Sequence, residues 1–286
     1  MDKKVKEQKI RGSWYTINIK AYTEQVPQKY VTAIKKLITD DPLVKIRGNR
    51  HISVEGYDII GDKESPKMML LRLCAYDIMD PDAFYDIKQK KQAFPNISPD
   101  IVSNKKSCEL YFVPEVHRFM VQKSSRMSLR TILHYLISGL EMVGEDGEFD
   151  VRTETSPGCL EIIGSAYKLY SFEATLSYSN SDPSEGFAKF FGDRMRDAGA
   201  ETVNLKMRSG KGRVLKFIED GIIDAALKIV KSNGEAKARI KRTEKSAQET
   251  IETKDYPEIV HLEGEESKRF TVIRKNLIAR FGKNGK

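Results

Sequence analysis

No apolar run in this 286-residue sequence approaches the roughly 18–20 residues that a membrane-crossing helix requires, so the chain is expected to fold in water. Cysteine is scarce: Cys74, Cys108 and Cys159 lie far apart. An odd, scattered set does not make a disulfide framework, and no CxxC or HxxxH pair offers metal-ligand spacing. Cys108 and Cys159 sit in apolar runs and read as buried thiols. The short signatures GxSxG and HExxH and the dinucleotide glycine fingerprint are all missing. Gly and Pro, at 19 and 10, are too ordinary for a collagen-like or low-complexity chain. Met1-Asp2-Lys3-Lys4 has no apolar stretch behind it, so no secretory signal is expected, and a reducing cytoplasm is the default compartment.

What is present is enough apolar material for a core, 40% of residues, and a length suited to one large domain or two smaller ones. The 49 Lys and Arg outnumber the 41 Asp and Glu to give a net charge of +8. That excess is unevenly placed. Residues 1–50 carry +7, residues 206–286 carry +8, and the middle carries −7. Two positive ends around a negative middle suit a polyanionic partner, because charge distribution bears on partners rather than on fold; the same asymmetry would also arise on a solvated surface whose signs merely fell unevenly.

Strand periodicity marks residues 13–20, 44–46, 52–60, 68–78, 108–113, 118–121, 149–153, 169–178 and 202–207. The sequence EAKARIK at 235–241 alternates strictly, and 248–253 can pair with it. Helical spacing marks 30–38, 128–142, 157–164, 215–231 and 267–281. Asp80-Pro81-Asp82 predicts a capped helix through Lys91, and Ser181-Asp182-Pro183 a helix through Asp197. Residues 96–106 read as a lysine-bearing loop and Asn233-Gly234 as a turn. Single helices mixed with direct strand-to-strand steps predict an α+β fold with mixed or antiparallel sheets and flanking helices. A boundary between Gly144 and Pro157 would give an N-terminal lobe, 1–148, and a basic C-terminal lobe, 149–286.

The densest cation group is KMRSGKGRVLK, where Lys206, Arg208, Lys211, Arg213 and Lys216 stand without an acid. Its glycines suggest a loop leading into the Leu215 helix, where backbone N–H groups and cations could meet a phosphate; the same residues would also make an ordinary solvated turn. On 235–241 the period of two puts Lys237, Arg239 and Lys241 on one face, and Arg242 extends it. Such a face can track a nucleic-acid backbone, or simply guard an edge strand. No aromatic–basic interleaving is visible there, so backbone contact with weak sequence preference is expected.

Asp77, Asp80, Asp82 and Asp86 could serve a metal-dependent nuclease if they converged on a cation, although Asp80 and Asp82 are also explained as cap residues. His117 and His134 have the chemistry of general bases, but no nucleophile or orienting group is placed beside them, and His134 falls next to core Leu133.

CELYFVPEVHRFMVQ from Cys108, LEIIGSAYKLYSFEATLSYSNSDPSEGF, DAALKIVKSNGEAKARI and ETIETKDYPEIVHLEG together resemble an uncharacterised bacterial family encountered near phage-defence genes. The shared features are a helix–strand pair, an N-x-D turn (here Asn180-Ser181-Asp182) and a terminal Asn-Gly hairpin (here Asn233-Gly234). In size and basic character the chain is also similar to the lambda exclusion protein RexA, a DNA-binding abortive-infection component. The resemblance implies an antiphage setting and supplies no catalytic residues.

The expectation is therefore a cytoplasmic defence-type protein that binds nucleic acid, DNA before RNA, through the phosphate backbone. The site residues would be Lys206, Arg208, Lys211, Arg213, Lys216, Lys237, Arg239, Lys241 and Arg242, with no cofactor, metal or membrane partner. The alternatives are a nuclease using Asp77, Asp80 and Asp82, and a non-enzymatic subunit that assembles with itself or with a defence partner through its opposite-sign surfaces.

Overall fold

The computed structural model describes residues 9–282 except 24, 99, 125, 146 and 178–185. The chain opens with β1 (Lys9–Ile10) and β2 (Ser13–Ala21). Pro27 then starts α1 (Pro27–Asp40), which buries Tyr30, Ile34 and Leu37 at helical spacing. The helix ends at Asp41, in the left-handed region with φ 40°, where its carboxylate accepts the Val54 N–H at 2.9 Å. β3 (Val44–Arg47) and β4 (Arg50–Gly61) follow, then β5 (Pro66–Ile78).

Between β5 and the next long strand, the chain departs from the sequence expectation twice. The helix predicted from Asp80 to Lys91 is one 3-10 turn at Pro81–Ala83, followed by a small hairpin of β6 (Tyr85–Asp86) and β7 (Lys91–Gln92). Asp86 accepts the N–H groups of Lys88 and Gln89, both at 2.8 Å, and this local turn competes with helix. The predicted loop at 96–106 is in part the start of β8 (Val102–Val113), since Val102 pairs with Ile78 and Lys106 with Ala75 across the ladder. Ladder hydrogen bonds here override a lysine-rich composition.

β9 (Arg118–Gln122) and α2 (Leu129–Leu140) complete this part. The strands run β9-β8-β5-β4-β3, each neighbour antiparallel. Phe112 and Phe119 face each other across β8 and β9 with ring centroids 4.6 Å apart. Ser128 caps α2 by accepting the Thr131 N–H at 3.1 Å.

The remainder comprises β10 (Phe149–Thr153), α3 (Pro157–Gly164), β11 (Lys168–Ser177), α4 (Gly186–Asp197), β12 (Thr202–Arg208) and α5 (Ile222–Asn233). β13 (Gly234–Lys241), β14 (Gln248–Glu252), β15 (Ile259–His261), β16 (Gly264–Glu265) and α6 (Arg269–Phe281) close the chain. The Asn180-Ser181-Asp182 turn lies outside the described residues. The architecture is α+β with antiparallel sheets.

The chain forms two units, one of Met1–Gln25 with Asp150–Lys286 and one of Val26–Phe149. The N-terminal residues join the C-terminal half because β2 pairs with β15, Trp14 opposite Val260 and Tyr15 opposite Ile259.

In the discontinuous unit β12-β11-β13-β14 form a four-stranded antiparallel sheet. One face carries Phe172, Leu176, Ala238 and Ile240 and packs on Ile223, Ala226 and Val230 of α5 and on Ile163 of α3. The sequence expectation of a helix from Leu215 is corrected: Leu215 donates its N–H to Leu169 at 2.7 Å as an edge bridge, and the helix starts at Ile222. Ile218, expected inward, is 63% exposed.

Asn233-Gly234 is likewise no hairpin but the junction of α5 with β13. The last four carbonyls of a helix have no partner within it, and here each finds one elsewhere in the unit. Val230 accepts from Thr155 Oγ1 at 3.4 Å, Lys231 from the Thr155 N–H at 2.8 Å, Ser232 from Asn18 Nδ2 at 2.7 Å and Asn233 from Ser177 Oγ at 3.1 Å. Gly234 is needed for another reason: a Cβ there would lie 2.5 Å from the Thr175 carbonyl oxygen.

Asn18→Ala should leave the Ser232 carbonyl without its donor and cost about 1–3 kcal/mol of stability, read as a lower urea midpoint at unchanged slope.

Candidate nucleic-acid interface

Among the described residues the second face of the four-stranded sheet is open, and strand register assembles it in rows. Lys206, Glu173, Lys237 and Glu252 stand side by side across β12, β11, β13 and β14. In the next row Arg208, Ser171, Arg239 and Thr250 are neighbours, and beyond it Lys168 opposes Lys241, which pairs with Gln248. Five of the nine predicted cations, Lys206, Arg208, Lys237, Arg239 and Lys241, thus share one face, although they come from two segments of the sequence.

The first row is neutralised internally. Glu173 holds Lys206 at 3.0 Å and Arg208 at 3.4 Å, while Glu252 holds Lys237 at 2.6 Å and Lys254 at 2.7 Å. Hydrogen bonds from Lys237 and then Lys254 lower the Glu252 carboxyl to about 2, and the bond from Lys206 lowers that of Glu173.

The other end of the face keeps its charge. Among the described residues, Arg239 and Lys241 have no ion pair. Lys168 and Lys241 are direct cross-strand partners of like charge, an arrangement that is unfavourable without a counter-ion. A register shift between Leu169 and Ser171 places Tyr170 as the extra residue opposite Arg239, and the guanidinium lies 5.8 Å from the Tyr170 ring centroid. Lys168 lies 5.4 Å from the exposed ring of Tyr167. The sequence expectation of no aromatic–basic interleaving is therefore corrected, because Tyr170 comes from β11 and Arg239 from β13.

Lys211 and Arg213 occupy a turn closed by the Arg213 N–H on the Gly210 carbonyl at 3.0 Å. Ser209 ties that turn to Tyr170 at 3.0 Å, and Leu215 ties its far side to Leu169. The turn and Lys216, which follows it, are exposed and belong to this charged end of the sheet. They do not lead into a helix N-terminus as expected, since α5 begins only at Ile222. Arg242 leaves the face altogether: Glu249 opposes Ile240, on the helix side, and grips Arg242 through two bonds of 2.6 and 3.1 Å.

The alternative acidic group does not assemble. Asp77 accepts from Asn104 at 2.7 Å and from Arg50 at 2.8 Å, bonds that lower its carboxyl. Asp80 accepts the Asp82 N–H at 3.0 Å, and Asp86 is taken by its own turn. Among the described residues no set of three His, Cys, Asp or Glu is placed to hold a metal ion. His117 is buried and stacks on Tyr30 with ring centroids 4.0 Å apart. Burial pushes the Cys108 thiol up to about 12 and that of Cys159 up to about 11, so both stay protonated. No helix among the described residues is long and apolar enough to cross a membrane.

Fold and site define an α+β protein in which a four-stranded antiparallel sheet, backed by helices, leaves a cation-bearing face open. The chain belongs to the DUF4747 family, a domain of unknown function, whose family model matches residues 10–276. No curated protein matches the sequence.

Because the folded carboxyl of Glu252 lies below its ordinary 4.5, its stabilising contribution is complete above that pH and is lost as pH falls towards 2. A carboxyl NMR titration should find the Glu252 midpoint near 2, and Lys237→Ala should move it upward.

Proposed function

We propose that the open face of the β12-β11-β13-β14 sheet binds nucleic acid through its phosphate backbone, with little sequence specificity. The observation that carries this reading is the charged end of the face, where Arg239 lies by Tyr170 and Lys241 opposes Lys168 beside the turn holding Lys211 and Arg213. Cations that lack carboxylate partners release counter-ions when they meet phosphates, which is the sequence-independent part of nucleic-acid affinity. An aromatic ring on an open sheet offers any base a stacking surface. The balanced row of Lys206, Glu173, Lys237 and Glu252 contributes little net charge, so binding is centred on the end of the sheet rather than its middle.

An antiphage role, of the abortive-infection kind that lambda RexA represents, is the setting we attach to this activity, with DNA as the first partner. Its support is the likeness of the segments around Cys108, Tyr170 and Asn233 to a family found near phage-defence genes.

Fluorescence anisotropy with labelled DNA and RNA strands over a salt series tests the site. Lys211→Ala, Arg213→Ala, Arg239→Ala and Lys241→Ala combined should weaken binding to every sequence by at least tenfold and flatten the salt dependence. Tyr170→Ala should weaken single strands more than duplex. Glu252→Gln should act in the opposite direction, freeing Lys237 and Lys254 and tightening binding several-fold. Unchanged affinity in the quadruple variant would overturn the assignment.

A further inference from the structure

The unit of Val26–Phe149 contains a second cationic site that shares no residue with the sheet face. A cavity of about 640 Å³ lies between the start of α2 and strands β3, β4, β5 and β8, within the roughly 300–1,000 Å³ of small-ligand sites. Its polar wall is built by Arg47, Lys106, Arg126 and Arg130, with Arg50 beside them, and no carboxylate lines it among the described residues. Ile46, Ala75 and Met127 give it an apolar floor.

The cations are of two kinds. Arg50 is held by Asp77 at 2.8 Å and is already compensated. Arg47, Lys106, Arg126 and Arg130 have no ion pair among the described residues. The neighbouring Lys105 shows the contrast: alternation along β8 sends it to the other side of the sheet, where it pairs with Glu55. Lys106 pairs across the ladder with Ala75, whose side chain is part of the cavity floor. These four cations lie exposed around one concavity, with Lys106 also in the field of Asp77; an entering anion would be attracted by all four, and guanidinium groups are suited to phosphate oxygens through paired N–H donors. His134, also at the cavity, donates Nε2–H to the Lys45 carbonyl at 3.0 Å and is thereby fixed as part of the wall.

We infer that this cavity binds a nucleoside carrying terminal phosphate, with the phosphates on Arg47, Lys106, Arg126 and Arg130 and the ring system over Met127 and Ala75. Two sources share that chemistry, a free nucleotide and the phosphorylated end of a nucleic-acid strand. The inference is independent of the sheet-face reading, since the residues belong to different units.

Calorimetric titration of the full chain with ATP, GTP, inorganic triphosphate, and a short oligonucleotide with either a 5′-phosphate or a 5′-hydroxyl tests it. Saturable binding is expected for the free nucleotides, or for the 5′-phosphorylated strand in preference to the 5′-hydroxyl strand, and the pattern identifies the source. Arg126→Ala with Arg130→Ala should weaken that binding at least tenfold, and Arg47→Glu, on a different element, should do the same. A thermal melt of each variant separates loss of the site from loss of the fold. No binding of ATP or GTP together with equal binding of the 5′-phosphate and 5′-hydroxyl strands, inorganic triphosphate alone binding, or equal nucleotide binding or 5′-phosphate preference in the folded Arg126/Arg130 and Arg47 variants would overturn the inference.

Discussion

The C-terminal end of α5 is the constraint from which the charged sheet face follows. A helix that runs straight into a strand has no room for the usual left-handed glycine cap, so its last carbonyls must be satisfied from elsewhere. Thr155, Asn18 and Ser177 do this from three separate segments. Buried Glu154 adds a further tie by accepting the Ser232 hydroxyl at 2.6 Å. Once that end is fixed, the first residue of β13 is fixed too, and Gly234 lets the strand start directly against Thr175. Register then decides everything on the open face. A slip by one residue would send Lys237 and Arg239 inward and Ala238 outward.

The same register explains why the face is charged at one end rather than throughout. Where Glu173 and Glu252 alternate with lysines, each carboxylate meets two cations. Exposed pairs of this kind contribute little stability; their larger effect is to cancel the field locally. At Ser171, Thr250 and Gln248 hydroxyl and amide side chains stand where the first row has carboxylates, and the positive potential survives. Tyr170 lies there because the strand bulges there, which brings an aromatic ring and a guanidinium together.

Much of this was legible in the chain itself. The alternation in EAKARIK correctly put Lys237, Arg239 and Lys241 on one face, because a strand with one buried side must alternate. α2 was visible from its apolar stripe, and α3 matches its expected span. The failures share a physical cause. Leu215, Ile218 and Ile222 have helical spacing, but the backbone at Leu215 is captured by the edge of β11 before a helix can form. Asn-Gly has the composition of a turn, yet distant donors hold Asn233 in the helix. The meeting of Tyr170 with Arg239 is a product of strand pairing, and no local window contains both. Arg47, Lys106, Arg126 and Arg130 escaped notice for the same reason: each is an unremarkable surface cation in its own segment.

Net charge, on this view, is a poor measure of where an anion binds. The four cations of the cavity in the Val26–Phe149 unit straddle sequence regions of opposite overall sign, since Arg47 belongs to the positive first 50 residues and the others to the negative middle. What separates them from the many paired lysines and arginines is that they have no ion pair among the described residues, and that is a property of packing. Lys105 and Lys106 are adjacent in sequence and identical in chemistry, yet one is paired with Glu55 and the other, at the cavity, has no ion pair among the described residues. The pleat of one strand decides between them. Functional charge in this protein is therefore better traced by asking which cations the fold leaves uncompensated than by counting how many the sequence contains.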